Sequence, residues 1–361
     1  MADKKKILFA GGGTAGSVTP LMALFNELSS RFEGVELTWI GTKAGPEKRL
    51  LSSKRIPFFQ IISVKMDRFF SLRNVMAPFL FLAAFAQSLV LLKKIKPDVL
   101  LAAGSFVAVP VAWAAGLYRI PIIIHQLDIR PSLSNKLIAP FAKKVAVTFE
   151  ASLKDFSKRK AVWTGSPVRE SILQPKTFHW DLHSAKPVVL IFGGGTGAQA
   201  LNELVWQSLG DLTQRAQVLH LTGKGKGKAV THADYHQFEF LQAKMGQALQ
   251  RADVVVARAG VGTLMELAAL KKPAVIISLP DSHQQDNGAL LIQKRAAVVL
   301  DQRALSPQMF SEVILKLLEN KAEQVALSSA IAELYKPTAA KAIVDEVATI
   351  LLSSANYDRR K

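Results

Sequence analysis

Cysteine is absent from all 361 residues, so neither a disulfide frame nor a thiolate metal site can form. That absence fits a cytoplasmic protein. Acids are few: 28 Asp and Glu stand against 46 Lys and Arg, a formal net charge of +18. Asp-x-Asp does not occur. A divalent ion holding a diphosphate is therefore not expected, and neither a metal nor a cofactor is. Zinc-finger spacings, an arginine-rich arm and aromatic nucleic-acid signatures are also missing, so no nucleic-acid partner is expected. A basic surface then suits an anionic membrane or a phosphorylated substrate; the plainer reading is a solvated lysine-rich surface. No low-complexity tract occurs, and the start "MADKKKILFAGGG" lacks the pattern of a secretory signal.

What is present is an alternation. Apolar β runs in the first half are "KKILFA", "VELTWIG", "FFQIIS", "DVLLAAG", "PIIIHQ" and "KVAVTF". Those in the second are "PVVLIFGGG", "AQVLHLTG", "HQFEFL", "ADVVVARAG", "PAVIISLP" and "AAVVLD". Helical patterns lie between them, such as "SVTPLMALFNELSSRF" with Pro20 near its first turn. Strands alternating with helices predict an α/β protein with parallel sheets covered on both faces. Each half opens as strand, glycine-rich turn, helix, so two Rossmann-like domains are expected. The seam falls near "WTGSPVRES", giving residues 1–165, then 166–340, then a terminal amphipathic helix in 341–361.

Gly11, Gly13 and Gly16 match G-x-G-x-x-G, and Gly193, Gly195 and Ala198 match its G/A variant. Such turns let the backbone approach phosphate at a helix N-terminus. A dehydrogenase would need an acid at the end of the second strand for ribose. Thr42 and Lys43 follow "VELTWIG", and Lys224 follows "AQVLHLTG", so that reading is demoted. "GKGKGK" at 223–228 reads as an exposed basic loop, because no Ser or Thr follows a Gly-Lys pair. A third turn, in "ADVVVARAGVGTLMEL", has Gly260 and Gly262 with Glu266 one turn into the helix. Backbone amides there can hold a diphosphate while the carboxylate accepts from ribose hydroxyls. An exposed helix Glu favoured by the dipole is the equal alternative.

Two polar clusters sit at strand ends, where α/β sheets gather ligands. "IPIIIHQLDIRPSLSNK" ends in His125, Gln126 and Asp128; "SLPDSHQQDN" supplies Asp281, His283, Gln284, Gln285 and Asn287. Amides and histidine suit a hydroxyl-rich ligand, and polar loop chemistry is the alternative.

Taken together, "GGGTAGSVTP", "IKPDVLLAAGSFVAVP", "IPIIIHQLD", "SNKLIAPFAKKV", "TGSPVR", "GGGTGAQALN" and "ADVVVARAGVGTLMELAALKKPAVIISLP" resemble the MurG family over nearly the whole chain. These are UDP-N-acetylglucosamine transferases that make lipid II. The resemblance implies a GT-B fold of two Rossmann-like domains, with a C-terminal helix returning to the first. It implies inverting, metal-independent transfer of GlcNAc from UDP-GlcNAc to the C4 hydroxyl of MurNAc in lipid I. It gives the donor Arg169, Gly194, Gly195, Thr196, Gly260, Val261, Gly262, Thr263, Glu266, Gln284 and Gln285. The acceptor diphosphate falls to Gly13, Thr14, Ala15, Gly16 and Ser17. Three departures stand out. Ser17 replaces the family's usual His, His125-Gln126-Leu127-Asp128 replaces His-Glu-Gln-Asn, and "GGTGAQ" replaces Gly-Gly-Ser-x-Gly-Ala. Candidates for the proton transfer are thus Asp128, His125 and Ser17. Alternatives are a non-catalytic sugar-nucleotide-binding scaffold and another transferase acting on a lipid.

Val75 to Leu92, "VMAPFLFLAAFAQSLVLL", carries no charge. As a helix it would be roughly 27 Å long, just short of a bilayer core of about 30 Å. Pro78, Gln87 and Ser88 weaken a span, and Arg68, Arg73, Lys93 and Lys94 flank it. The expectation is a helix partly buried against the sheet, with an apolar side near anionic lipid. With the resemblance, this implies a peripheral place on the cytoplasmic face of the plasma membrane. A fully buried core helix is the alternative.

Overall fold

The computed structural model describes residues 4–63, 72–177, 180, 182, 186–195, 197–241, 244–280, 282 and 284–358. The chain divides into two compact units, 1–167 with 337–361, and 168–336.

The first unit is built on a parallel sheet of seven strands. They are β1 (Lys6–Ala10), β2 (Glu36–Gly41), β3 (Phe58–Gln60), β4 (Val99–Ala102), β5 (Ile122–Gln126), β6 (Lys144–Val147) and β7 (Ala161–Trp163). Their order is β3-β2-β1-β4-β5-β6-β7. Successive side chains point to opposite faces. Leu8 and Ala10 therefore join one core with the helices Leu72–Ile95 and Ala108–Leu117. Ile7 and Phe9 join the other with Val18, Leu21, Leu24 and Leu28. Into that second core the last helix, Ala339–Asp358, inserts Ile343, Val344, Val347, Ile350 and Leu351. Each such side chain contributes roughly 1.5–3 kcal/mol on burial. Because both faces are covered, β4 and β5 are buried throughout and apolar nearly throughout.

The second unit repeats the plan. Its strands are β8 (Val188–Phe192), β9 (Gln217–Leu221), β10 (Tyr235–Phe238), β11 (Val254–Arg258), β12 (Ala274–Ser278) and β13 (Val298–Asp301). They run parallel in the order β10-β9-β8-β11-β12-β13. Apart from β7, both sheets thus have the doubly wound Rossmann arrangement.

Two local expectations need correction. β7 has no counterpart among the apolar runs of the sequence: its three residues are too few to show a period. The single helix expected after the first glycine loop is two, Ala15–Met22 and Phe25–Arg31. Pro20 lies inside the first and cannot donate to its ladder.

Candidate functional site

In each sheet the strand order reverses beside one central strand, between β1 and β4 and between β8 and β11. A crevice opens there at the carboxyl ends of the strands. All three glycine turns of the sequence lie at these two points.

The first loop follows β1. Gly13 has φ +83°, and Gly13, Thr14 and Gly16 are exposed, Ala15 half-buried. Trp39, buried on β2, donates its Nε1–H to Gly11 O at 2.8 Å, and Ser105 Oγ donates to Gly12 O at 2.9 Å. Ser17 is buried, its Oγ 3.4 Å from both Gly12 O and Thr14 O. Those contacts turn its hydroxyl inward onto backbone carbonyls. Reasoning by position missed Glu47. This fully buried carboxyl accepts from Gly13 N at 3.1 Å, Thr42 N at 2.5 Å and Thr42 Oγ1 at 2.5 Å. It fills the space that Cβ atoms on Gly12, Gly41 and Gly45 would need, reaching within 2.3, 2.8 and 2.0 Å of them. The acid absent from the end of β2 in sequence is therefore present there in space. The amide of Gly13, expected to meet phosphate, already donates to it. Beside it lies a cavity of about 570 Å³ lined by Gly13, Thr42, Lys43, Gln60, Ser63 and Gln87, among others.

His125 and Gln126 end β5, with exposures of 2% and 1%. His125 Nε2 is 3.2 Å from Gly165 O and 3.3 Å from Thr148 Oγ1, while its Nδ1 has no hydrogen-bond partner. Burial pushes its pKa down to about 4, against a smaller rise from the Gly165 carbonyl. The ring is neutral near pH 7. Asp128 is half-buried, in the loop after the strand.

In the second unit, the loop after β8 has Gly194 at φ +89° and Gly197 at φ +71°. A Cβ on Gly197 would sit 2.1 Å from Thr222 O, so the loop packs directly on the segment after β9. Lys226 of that segment donates to Gly197 O at 3.2 Å. The lysine run is thus not merely exposed; one member holds the glycine loop. Beneath it, His220 is buried between Tyr235 Oη at 2.9 Å and Asn202 Oδ1 at 3.2 Å, and desolvation lowers its pKa to about 4.

The third turn follows β11. Gly260 caps the helix Val261–Ala269, in which Gly262 and Thr263 are half-buried. Asn287 Nδ2 anchors the turn through Ala259 O at 2.9 Å. Glu266 is not a free surface residue: its Oε1 takes Arg169 Nη2 at 2.6 Å, and its side chain is 12% exposed. Gln284 begins the helix Gln284–Gln293 with Gln285 exposed beside it. Gln284 Oε1 and Arg169 Nε are buried without a hydrogen-bond partner. Gly194 and Gly195 lie on the open side of the second loop. Thr196, Asp281, His283 and Arg68 lie outside the described residues. Among the described residues, no group of three or more His, Asp or Glu side chains is arranged to hold a metal.

The apolar run lies on the helix Leu72–Ile95. Ala77, Ala84, Ser88 and Leu92 are buried, whereas Met76, Phe79, Leu82 and Val90 are 57–72% exposed. It is therefore not a fully buried core helix. By length and composition it is apolar enough to cross a membrane. A chain of ring contacts, Phe81 to Trp113 at 5.2 Å and Trp113 to Phe141 at 5.7 Å, extends the apolar surface to neighbouring helices. Leu117, Leu133 and Phe141 are exposed there.

Comparison with known proteins accords with this geometry. Residues 7–147 match the glycosyltransferase family 28 N-terminal domain, and residues 188–343 the family 28 C-terminal domain. A Clostridium botulinum protein named "UDP-N-acetylglucosamine--N-acetylmuramyl-(pentapeptide) pyrophosphoryl-undecaprenol N-acetylglucosamine transferase" is 37% identical over 330 residues, 88% of this chain and 91% of its own. A Clostridium tetani protein of the same name is 34% identical, covering 89% and 92%. The crystal structure of MurG from Acinetobacter baumannii superimposes with a TM-score of 0.74 at 27% identity, over 96% of this chain and all of the other. A putative UDP-N-acetylglucosamine 2-epimerase of Listeria monocytogenes, at 13% identity and a TM-score of 0.73 over 96% of each chain, shares the fold alone.

Proposed function

We propose, because the chain belongs to the family of UDP-N-acetylglucosamine–N-acetylmuramyl-(pentapeptide) pyrophosphoryl-undecaprenol N-acetylglucosamine transferases, that it moves GlcNAc from UDP-GlcNAc to lipid I. The chain is a glycosyltransferase of GT-B fold. The C4 hydroxyl of MurNAc attacks C1 of GlcNAc. The C1–O bond to the diphosphate breaks as the new bond forms, UDP departs, and the configuration at C1 inverts.

The observation that carries this reading is the third turn. A helix N-terminus, Glu266 and Arg169 together match a nucleoside diphosphate. The amides and Arg169 meet the phosphate charge, and Glu266 accepts from ribose hydroxyls. Gln284 Oε1 and Arg169 Nε, buried and unpartnered, support a ligand there, since buried polar atoms otherwise find partners. In this reading the charge on departing UDP is met without a divalent ion. The hydroxyl's proton passes to Asp128. His125, buried and with its pKa near 4, serves to hold the strand end; Ser17, turned onto carbonyls, has no base of its own. NMR of the product checks the inversion, and the rate in excess EDTA checks the metal. A retained α linkage, or a rate abolished by EDTA and restored by Mg²⁺, would overturn the respective part.

The exposed face of the Leu72–Ile95 helix, with Lys93 and Lys94 at its end, supports reversible attachment to an anionic membrane from the cytoplasmic side. Vesicle sedimentation tests it. Binding should be stronger to anionic than to neutral vesicles and should weaken with salt; indifference to both would remove the electrostatic part.

A further inference from the structure

The loop that carries Asp128 is held from below at three successive carbonyls. Gln126 Nε2 donates to Asp128 O at 2.6 Å and to Arg130 O at 2.9 Å, and Ser152 Oγ donates to Ile129 O at 2.8 Å. Gln126 is fixed in turn by Asn135, whose Nδ2 reaches Gln126 Oε1 at 2.7 Å and His125 O at 3.4 Å. Amide oxygens and nitrogens look alike, but backbone carbonyls can only accept. The end of Gln126 that faces two of them must be its NH₂, and the end that faces Asn135 must be its oxygen. The polarity of the whole network is therefore determined.

This network needs an amide at 126. A carboxylate there would face two carbonyl oxygens with no hydrogen to donate. The acid of this segment stands two residues on, at Asp128, in a half-buried loop position rather than at a strand end 1% exposed. We infer that Gln126, oriented by Asn135, is a positioning residue that sets the backbone of Asp128 for proton transfer. This rests on the reading of Asp128 as the base.

The test is Gln126→Glu in the full chain, with kcat and KM followed from pH 6 to 9 beside wild type. At pH 8 kcat should fall on the order of 10²-fold, the scale of a misplaced catalytic group. KM for UDP-GlcNAc should not change. Burial against two carbonyl oxygens raises the introduced carboxyl above its ordinary range, so as pH falls it gains a proton, becomes a donor again, and the deficit shrinks. The titratable and charged groups of this segment and its neighbours are His125, neutral over this range, Asp128, Arg130, Lys136 and, on the 150–155 segment, Asp155. All are shared with wild type, so the ratio of the two profiles isolates residue 126. A wild-type rate throughout, or a deficit equal at every pH, would overturn the inference. Ser152→Ala, which frees only the Ile129 carbonyl, is the milder second variant; it should lower kcat in the same direction without the pH dependence. Should Asp128→Asn keep the wild-type rate, the base reading falls. Hydrogen exchange of the Leu127–Arg130 amides then decides the positioning claim: faster exchange in Gln126→Glu supports it, and unchanged exchange overturns it.

Discussion

The loops after β1 and β8 open the same strand order and are wired with opposite charge. Under the first, Glu47 accepts from the amide of Gly13. Against the second, Lys226 donates to the carbonyl of Gly197. A carboxyl consumes an N–H and brings negative charge; an ammonium consumes a carbonyl and brings positive charge. The second arrangement adds positive charge directly beside its loop, which favours an incoming diphosphate electrostatically. Shared topology fixes where a ligand goes, and the side chain beneath each loop decides which ligand is welcome.

The largest expected effect separates chemistry from donor binding. Asp128→Asn, in the first unit, should lower kcat on the order of 10²–10⁴-fold and leave UDP affinity in the second unit intact. If it stays near wild type while His125→Ala is dead, the base is His125. Next, Glu266→Ala should weaken UDP binding by about 1.5–3 kcal/mol, the range for charged hydrogen bonds. Unchanged affinity by calorimetry would remove Glu266 from the donor site.

The loops themselves can be set against each other. Glu47→Ala strips partners from the amides of Gly13 and Thr42 and should cost about 1–3 kcal/mol of stability, read by urea unfolding. Lys226→Met should instead lower UDP affinity, by about 0.5–1.5 kcal/mol. The reverse pattern, with Glu47 governing UDP and Lys226 governing stability, would break the comparison.

One feature is alike in both units: each buries a neutral histidine whose pKa is lowered by desolvation to about 4. Unfolded, each returns to 6.5, so between those values the unfolded chain binds more protons. Stability is full above pH 6.5 and falls as pH drops toward 4, by up to about 1.4 kcal/mol per pH unit for each histidine. His220→Asn should flatten the fall in melting temperature across that window. Parallel curves for variant and wild type would contradict it.

Much of this fold is legible in the chain. The central strands are continuous apolar runs because both their faces are covered, and glycine turns mark where each unit begins. β7 is too short to announce itself. Glu47 escaped notice because it lies six residues past the end of β2 and returns to it only through the intervening turn. Lys226 is one of three lysines in a glycine-rich run, and nothing in their spacing singles out the one that has a carbonyl partner. Gln126 was visible as a departure from a family pattern, but its purpose lies in which of its atoms donates, a matter of geometry alone. The place of Glu266 one helical turn past Gly262 is a distance that sequence spacing states directly, whereas its pairing with Arg169 is not.

Sugar transfer, as opposed to merely holding a nucleotide, is decided by incubation with UDP-GlcNAc, with and without lipid I. UDP should be released in step with a GlcNAc-bearing lipid product, and only when lipid I is present. UDP-GlcNAc bound but never turned over in the presence of lipid I, or UDP released at the same rate without it, would rule out transfer.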